Sequence, residues 1–203
     1  MSLWLKMSEQ FGKPSGILGR IAGLIMEKRR SNQERTAWAV SIMGLKPTDR
    51  VLEIGFGPGL GVRMMAEITT EGTVWGIDHS AIMFDQASRR NREAIRQGRV
   101  KLMPASVSDL TEIEDALDKI LDVNSFQYWE NPVENLAKLR SFLRSGGSVF
   151  LVHQPRKPGA TEEDADKAAD LFARHLEESG FRDIKIAKHA MKPVPTVCVD
   201  ARK

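Results

Sequence analysis

The chain has 203 residues, 41% of them hydrophobic and 28% charged, with a net charge of +3. That is the composition of a globular protein with one sizeable core. It falls short of the basic excess of a phosphate-tracking protein. The single cysteine, Cys198, allows no internal disulfide, lies in an apolar run and reads as a buried, inert thiol. No apolar run reaches the ~20 residues of a membrane helix, and no charged-then-apolar leader opens the chain. A single cytoplasmic domain with no membrane partner is expected.

The first fifty residues hold nine Lys/Arg against four Asp/Glu, and the remainder twenty-one against twenty-three, so the basic excess is local. Residues 11–20 are punctuated by glycine and proline, while 21–26 and 36–43 have helical composition. Two readings of residues 1–47 stand side by side. One is a helical lid hinged at Gly12, Gly16, Gly19 or Gly23. The other is a plain pair of helices with solvated Lys and Arg. Residues 48–203 are expected to form the core.

From residue 51 the sequence reads VLEIGFGPGLG. An apolar strand (Val51, Leu52, Ile54) breaks into Gly55, Gly57, Gly59 and Gly61, and residues 60–70 follow with helical composition. Strand, glycine loop and helix form a turn whose backbone N–H groups can approach a ligand closely. A second strand, 73–77, ends in Asp78, a carboxylate placed to accept hydrogen bonds from ribose hydroxyls. Further along, the pattern predicts a helix over 81–97, a strand from Val100, a short helix near 111–117 and a strand from Asp118. A helix over 133–143, a Gly-Gly turn with a fifth strand up to Val152, and a helix over 162–179 follow. Residues 180–187 and 196–201 are strand-like with no helix between them, and read as an antiparallel hairpin at the sheet edge. Alternating helices and strands from Val51 to Val152 require a parallel sheet covered on both faces.

Glycine spacing separates the two common nucleoside-binding answers. The dinucleotide frame G-x-G-x-x-G needs glycine at position 60 or 62, where Leu60 and Val62 stand. The motif present is Glu53-x-Gly55-x-Gly57-x-Gly59, which resembles the first motif of class I S-adenosylmethionine-dependent methyltransferases. The resemblance runs for roughly another 140 residues in the order and spacing of later segments. It implies an α/β, Rossmann-like, doubly wound and mostly parallel seven-stranded sheet ending in an antiparallel hairpin, preceded by an N-terminal helical extension. It also implies S-adenosylmethionine as cofactor, with S-adenosylhomocysteine as product. The cofactor contacts it implies are Glu53, Gly55, Gly57, Gly59, Asp78, His79, Ser106, Val107 and Asp122. Where the family often carries Gly-Asp-Ala at the adenine loop, this chain has Ala105-Ser106-Val107, so Ser106 replaces the usual acidic partner of the adenine amino group.

A small-molecule acceptor is expected. The charge run Arg89, Arg90, Arg92, Arg96, Arg99 and Lys101 invites a nucleic-acid reading, but as a solvated helix face it disfavours a nucleic-acid partner. The Asn-Pro-Pro-Tyr motif of many enzymes that methylate exocyclic amino groups on DNA bases or glutamine is also missing, and Asp122-Val123-Asn124 stands there instead, which disfavours that subclass. Candidate general bases are His153 at the end of strand five, Asp122, and Tyr128, with a strand-end packing role as the alternative for His153. No H-E-x-x-H or paired histidine spacing marks a metal site. Two further readings stay open: a nicotinamide-dependent oxidoreductase, disfavoured by the glycine frame and the missing Tyr-x-x-x-Lys pair, and a cofactor-binding module without turnover.

Overall fold

The computed structural model of the protein describes residues 30–203. The expected helix at 21–26 and the hinge glycines 12, 16, 19 and 23 lie outside the described residues. Helix α1 (Arg30–Ile42) leads into β1 (Arg50–Ile54), α2 (Leu60–Ile68), β2 (Thr73–Ile77), α3 (Ala81–Arg90), α4 (Arg92–Arg96) and β3 (Val100–Met103). The second half holds β4 (Leu117–Val123), a 3-10 turn (Phe126–Tyr128), α5 (Pro132–Phe142), β5 (Leu143–His153), α6 (Glu162–Glu178), β6 (Arg182–His189) and β7 (Thr196–Arg202). The strands form one seven-stranded sheet in the order β3-β2-β1-β4-β5-β7-β6. Strands β1 to β5 pair in parallel, and β7 enters antiparallel between β5 and β6. The expected fold, including the terminal hairpin, is the one observed.

Each central strand is buried on both faces, and the period of two assigns its side chains alternately to two cores. Val51, Val74, Leu121 and Val152 pack beneath α1, α2 and α3 with Val40, Met65 and Met83. Leu52, Ile120, Val149 and Leu151 pack on the other face with Leu136, Phe172 and Leu176 of α5 and α6. Cys198 is fully buried in the first core, and burial pushes its thiol well above the ordinary range.

Three expected elements differ from those observed. No helix forms over 111–117, where the chain is irregular before β4 begins at Leu117. Between Thr111 and Ala116 only Ile113 packs inward. The acidic side chains turn outward instead, Glu114 to Lys101 of β3 and Asp115 to Arg50 of β1 at 3.7 Å, so nothing rewards a helical turn. The helix expected over 81–97 breaks at Asn91, whose side-chain amide donates to Ala87 O at 2.9 Å and to Gly59 O at 3.1 Å. That bond ties the end of α3 to the glycine loop. The Gly-Gly turn is a bulge inside β5, where pairing shifts from Leu117↔Leu143 to Lys119↔Ser148.

Helix α1 begins six residues earlier than the expected 36–43 segment. It is pinned at its far side by Trp38, which stacks on His189 of β6 with ring centroids 5.2 Å apart.

Candidate active site

The carboxyl ends of β1, β2, β3 and β4 open into a cleft of about 500 Å³, as the switch-point rule for open parallel sheets anticipates. Its floor is the loop between β1 and α2. Gly55 N–H donates to Ile77 O at 2.8 Å, which draws the loop across the tip of β2. A Cβ on Gly55 would stand 2.5 Å from Ser125 Cβ, and one on Gly59 2.7 Å from Ala87 Cβ. Packing forbids side chains at both. Gly57 is different: its φ is +52°, and a Cβ there would meet nothing within 4 Å. The left-handed conformation favours glycine, and the vacant side faces the cleft, leaving a bare stretch of backbone on which a ligand can lie.

Asp78 sits at the tip of β2, buried, with Oδ2 accepting from Gly57 N–H at 2.8 Å and Oδ1 from Ser80 N–H at 2.9 Å. Burial raises its pKa, and those two N–H bonds oppose the rise. The following helix is capped by Ser80, whose Oγ accepts from Met83 N–H at 3.4 Å. Asp78 is therefore not the helix cap. Nor is it a carboxylate with few structural contacts, as a strand tip facing an empty cleft would suggest: it also fastens the glycine loop.

Glu53 does not line the cleft. The alternation along β1 turns it under the start of α2, where its carboxyl accepts from Val62 N–H and a Cβ on Gly61 would collide with its Oε1. Its Oε2 is buried with no hydrogen-bond partner among the described residues. Burial foremost, with the Asp122 and Asp78 carboxylates adding to it, holds Glu53 up at about 8. Asp122 is likewise turned inward and fully buried. Its Oδ1 accepts from Phe126 N–H at 3.0 Å and Ser125 N–H at 3.2 Å, and its Oδ2 from the Ser125 hydroxyl, so it shapes the turn after β4. Burial lifts it to about 6. His153 stands outside the cleft wall, with its ring edge-on to Phe172 at 5.6 Å. Burial, with Arg35 second, brings it down to about 4.

His79, Ser106, Val107 and Tyr128 line the cleft, as do Gly55, Gly57 and Asp78. Glu53, Gly59, Asp122 and His153 stand behind its wall. Two of the lining residues missed by the sequence reading carry charge and make defined contacts. Asp109 accepts from the Ser106 hydroxyl at 2.6 Å, and its backbone N–H returns a bond to Ser106 Oγ at 3.3 Å. The spacing Ser106-x-x-Asp109 is a recognisable local turn signal, and it restores a carboxylate beside the position where Ser106 stood alone. Asp109 is exposed and its carboxyl is held below the usual range, chiefly by the Ser106 hydroxyl. The second is Arg35 of α1. It is buried, its Nη1 donating to Gln154 Oε1 and its Nη2 to Asn32 Oδ1, both at 3.0 Å. Burial, and then the neighbouring Arg156, bring Arg35 down to about 9. No local pattern marked it, because nothing in α1's sequence shows which residue will meet the end of β5.

Comparison with known proteins places this geometry. Residues 51–147 match the family described as Methyltransferase domain. The chain is 29% identical over 183 residues to the uncharacterized methyltransferase YdaC of Bacillus subtilis, covering 90% of this chain and 98% of that one. It is 26% identical over 155 residues to a tRNA U34 carboxymethyltransferase of Idiomarina loihiensis, covering 69% of this chain but only 47% of that protein. In fold it superposes on a SAM-dependent methyltransferase from Aquifex aeolicus with a TM-score of 0.67 and 18% identity, over 82% of this chain and 88% of that one. Glycine loop, strand order and sequence match converge on the class I S-adenosylmethionine-dependent methyltransferases as the family this chain resembles.

Proposed function

We propose that this enzyme transfers the methyl group of S-adenosylmethionine to a small molecule held in the cleft beyond the end of β4. The observation that carries this reading is the cleft itself, about 500 Å³ and walled on the acceptor side by a buried arginine and by Trp129. That volume suits a small ligand. Its polar lining converges on the strand tips. The basic run is at the other end of the molecule: α3 begins at the cleft and runs back along the sheet, so Arg89 to Arg99 gather near the start of β3. Arg96 is engaged with Glu93, and Arg99 donates to Ala66 O at 2.7 Å. That separation of the basic run from the cleft supports a small-molecule acceptor over a nucleic acid tracked by that surface. No helix among the described residues is long and apolar enough to cross a membrane.

The fit to the cofactor rests on the uncovered backbone at Gly57 and the carboxylate at the β2 tip. In this reading Asp78 holds the ribose hydroxyls with the lone pairs its two N–H bonds leave over. Gly55 and Gly57 pass beneath the ligand, and Ser106, Val107 and Asp109 border the adenine, with His79 at the rim. Glu53, Gly59 and Asp122 act from behind the wall, each fixing the loop that touches the ligand. S-adenosylmethionine, when bound, supplies an electrophilic methyl on a sulfonium. The protein's part is to place the acceptor in line and exclude water. Asp122 and His153 do not face the cleft, which leaves Tyr128 as the one sequence-expected base that borders it. The single-domain division is kept, with 1–47 as a cap whose described part, α1, contributes a wall residue and 48–203 as the core.

Calorimetry with S-adenosylmethionine, S-adenosylhomocysteine and NAD tests the cofactor, and binding of NAD alone would overturn it. Tritium transfer from labelled cofactor into a small-molecule extract, with bulk tRNA in parallel, tests the acceptor class. Label entering tRNA alone would reverse that assignment. The variant Gly57→Arg puts its Cβ where nothing stands within 4 Å and sends the rest of its side chain into the cleft. It is expected to remain folded, losing about 1–2 kcal/mol to the left-handed backbone, and to show no S-adenosylhomocysteine binding by calorimetry. Unchanged affinity would remove Gly57 from the cofactor's path.

A further inference from the structure

Parallel strands are usually joined through a helix, and the β1–β2, β2–β3 and β4–β5 connections all carry one. The connection from β3 to β4 does not, and residues 104–116 are irregular. That stretch opens with a turn on the cleft wall, Ser106 to Asp109. The turn's own bonds run between its two ends: Asp109 N–H donates to Ser106 O at 3.2 Å, and the Ser106 hydroxyl to Asp109 Oδ2 at 2.6 Å. Its hydrogen bonds to the rest of the described residues both come from α5. Lys138 Nζ donates to Ser108 O at 2.8 Å, and Asn135 Nδ2 to Ser108 Oγ at 3.4 Å. The Lys138 ammonium also acts on Asp109, whose carboxyl is held low first by the Ser106 hydroxyl and last by that charge. Asn135, itself buried, donates to Glu130 O at 2.6 Å as well, on the wall that follows β4. Helix α5 thus supplies the support that a crossover helix of the turn's own would give.

We infer that Lys138, supported by Asn135, is a positioning residue for the base end of the cleft, fixing the Ser106–Asp109 turn so that the site selects adenine over hypoxanthine; this rests on the methyltransferase reading above. Neither side chain lines the cleft. They act through Ser108 and Asp109, which do. The selection follows from donor and acceptor chemistry. A hydroxyl such as that of Ser106 can accept from an amino group or donate to a carbonyl, so by itself it tolerates both bases. An ionised carboxylate only accepts. Asp109 therefore favours the amino group of adenine and sets oxygen against the carbonyl of hypoxanthine, a repulsive element that sharpens the choice. Such discrimination is only as sharp as the carboxylate's placement. Loss of the Lys138 ammonium frees Ser108 O and removes the charge beside Asp109 in one step, leaving the turn to its internal bonds and to the buried side chains of Val107 and Leu110.

The test is calorimetry with S-adenosylhomocysteine, 5′-methylthioadenosine and 5′-methylthioinosine on the wild type, Lys138→Met and Lys138→Arg. Methionine keeps the stem and the helix propensity of lysine and removes only the ammonium. The wild type should bind methylthioadenosine about tenfold to a hundredfold more tightly than methylthioinosine, the range for a hydrogen bond to a charged group. In Lys138→Met that ratio should fall to about threefold or less. The melting temperature of that variant should stay within about 2 °C of the wild type, as expected of a side chain at the surface. Lys138→Arg keeps a charged donor and should restore most of the ratio. A merely structural role for Lys138 would weaken both ligands in step, so an unchanged ratio in Lys138→Met would overturn the inference. Equal binding of the two ligands by the wild type would overturn it as well, while leaving the methyltransferase reading intact. Failure of the wild type to bind S-adenosylhomocysteine would instead remove that reading.

Discussion

Asp78→Ala is expected to weaken S-adenosylhomocysteine binding by about one to three orders of magnitude and to lower apo stability as well. Each charge-assisted bond to a ribose hydroxyl is worth ~1.5–3 kcal/mol when desolvated, and ~1.4 kcal/mol is tenfold in affinity. The stability loss comes from elsewhere. The carboxylate now accepts from Gly57 N–H and Ser80 N–H, and truncation leaves both donors without it. Relief of a buried charge offsets part of that, so the net loss should be about 1–3 kcal/mol, or roughly 3–10 °C in Tm for a domain of this size. Thermal melts and calorimetry on the same variant separate the two roles. A Tm loss with unchanged Kd would reduce Asp78 to an anchor of the glycine loop. Asp78→Asn, which keeps acceptors for the N–H groups, should recover more of the stability than of the affinity.

Glu53→Gln should stabilise the apo protein increasingly as pH rises. In the unfolded chain Glu53 titrates near its ordinary 4.5, whereas in the fold burial holds it neutral up to about 8. Between those values the unfolded state gives up a proton that the folded state keeps, so the wild type loses stability as pH climbs from about 4.5 through about 8. A glutamine has no such proton. The two proteins should melt alike near pH 4 and diverge toward pH 8, where the gap should reach a few kcal/mol, since each tenfold change in proton affinity is worth ~1.4 kcal/mol. Asp122→Asn should behave in the same sense over a lower window, from its ordinary 3.8 to about 6, and its gap should level off sooner. Melting curves at several pH values without ligand check both. A gap for Glu53→Gln that does not change between pH 5 and pH 8 would show that the carboxyl ionises in the fold at its ordinary pKa.

The sequence by itself determined the parts governed by short-range rules. The glycine frame at 55, 57 and 59, the period of alternating strands and helices, and the two final strand-like runs with no helix between them were each legible because turn chemistry and burial periodicity are local. They suffice for the sheet, the order of its elements and the family. Local pattern was weaker where side chains choose partners at a distance. Three acidic residues near 111–117 look compatible with a helix, but Glu114 and Asp115 reach Lys101 and Arg50 on neighbouring strands, and the segment follows them. Asn91 looks like an ordinary helix residue until its amide meets Gly59, thirty-two positions earlier. The site divides in the same way. Asp78 and the glycines follow from the motif, whereas only the packed structure decides that Glu53 and Asp122 turn away from the cleft. Their positions along β1 and β4 fix the face, and the elements covering that face fix what they touch. Arg35 is the extreme case. It sits 119 residues from Gln154 in sequence, and only the docking of α1 across the strand ends makes it a buried charge at the cleft. A cation's value is set by what surrounds it, and those surroundings exist only after the chain has folded.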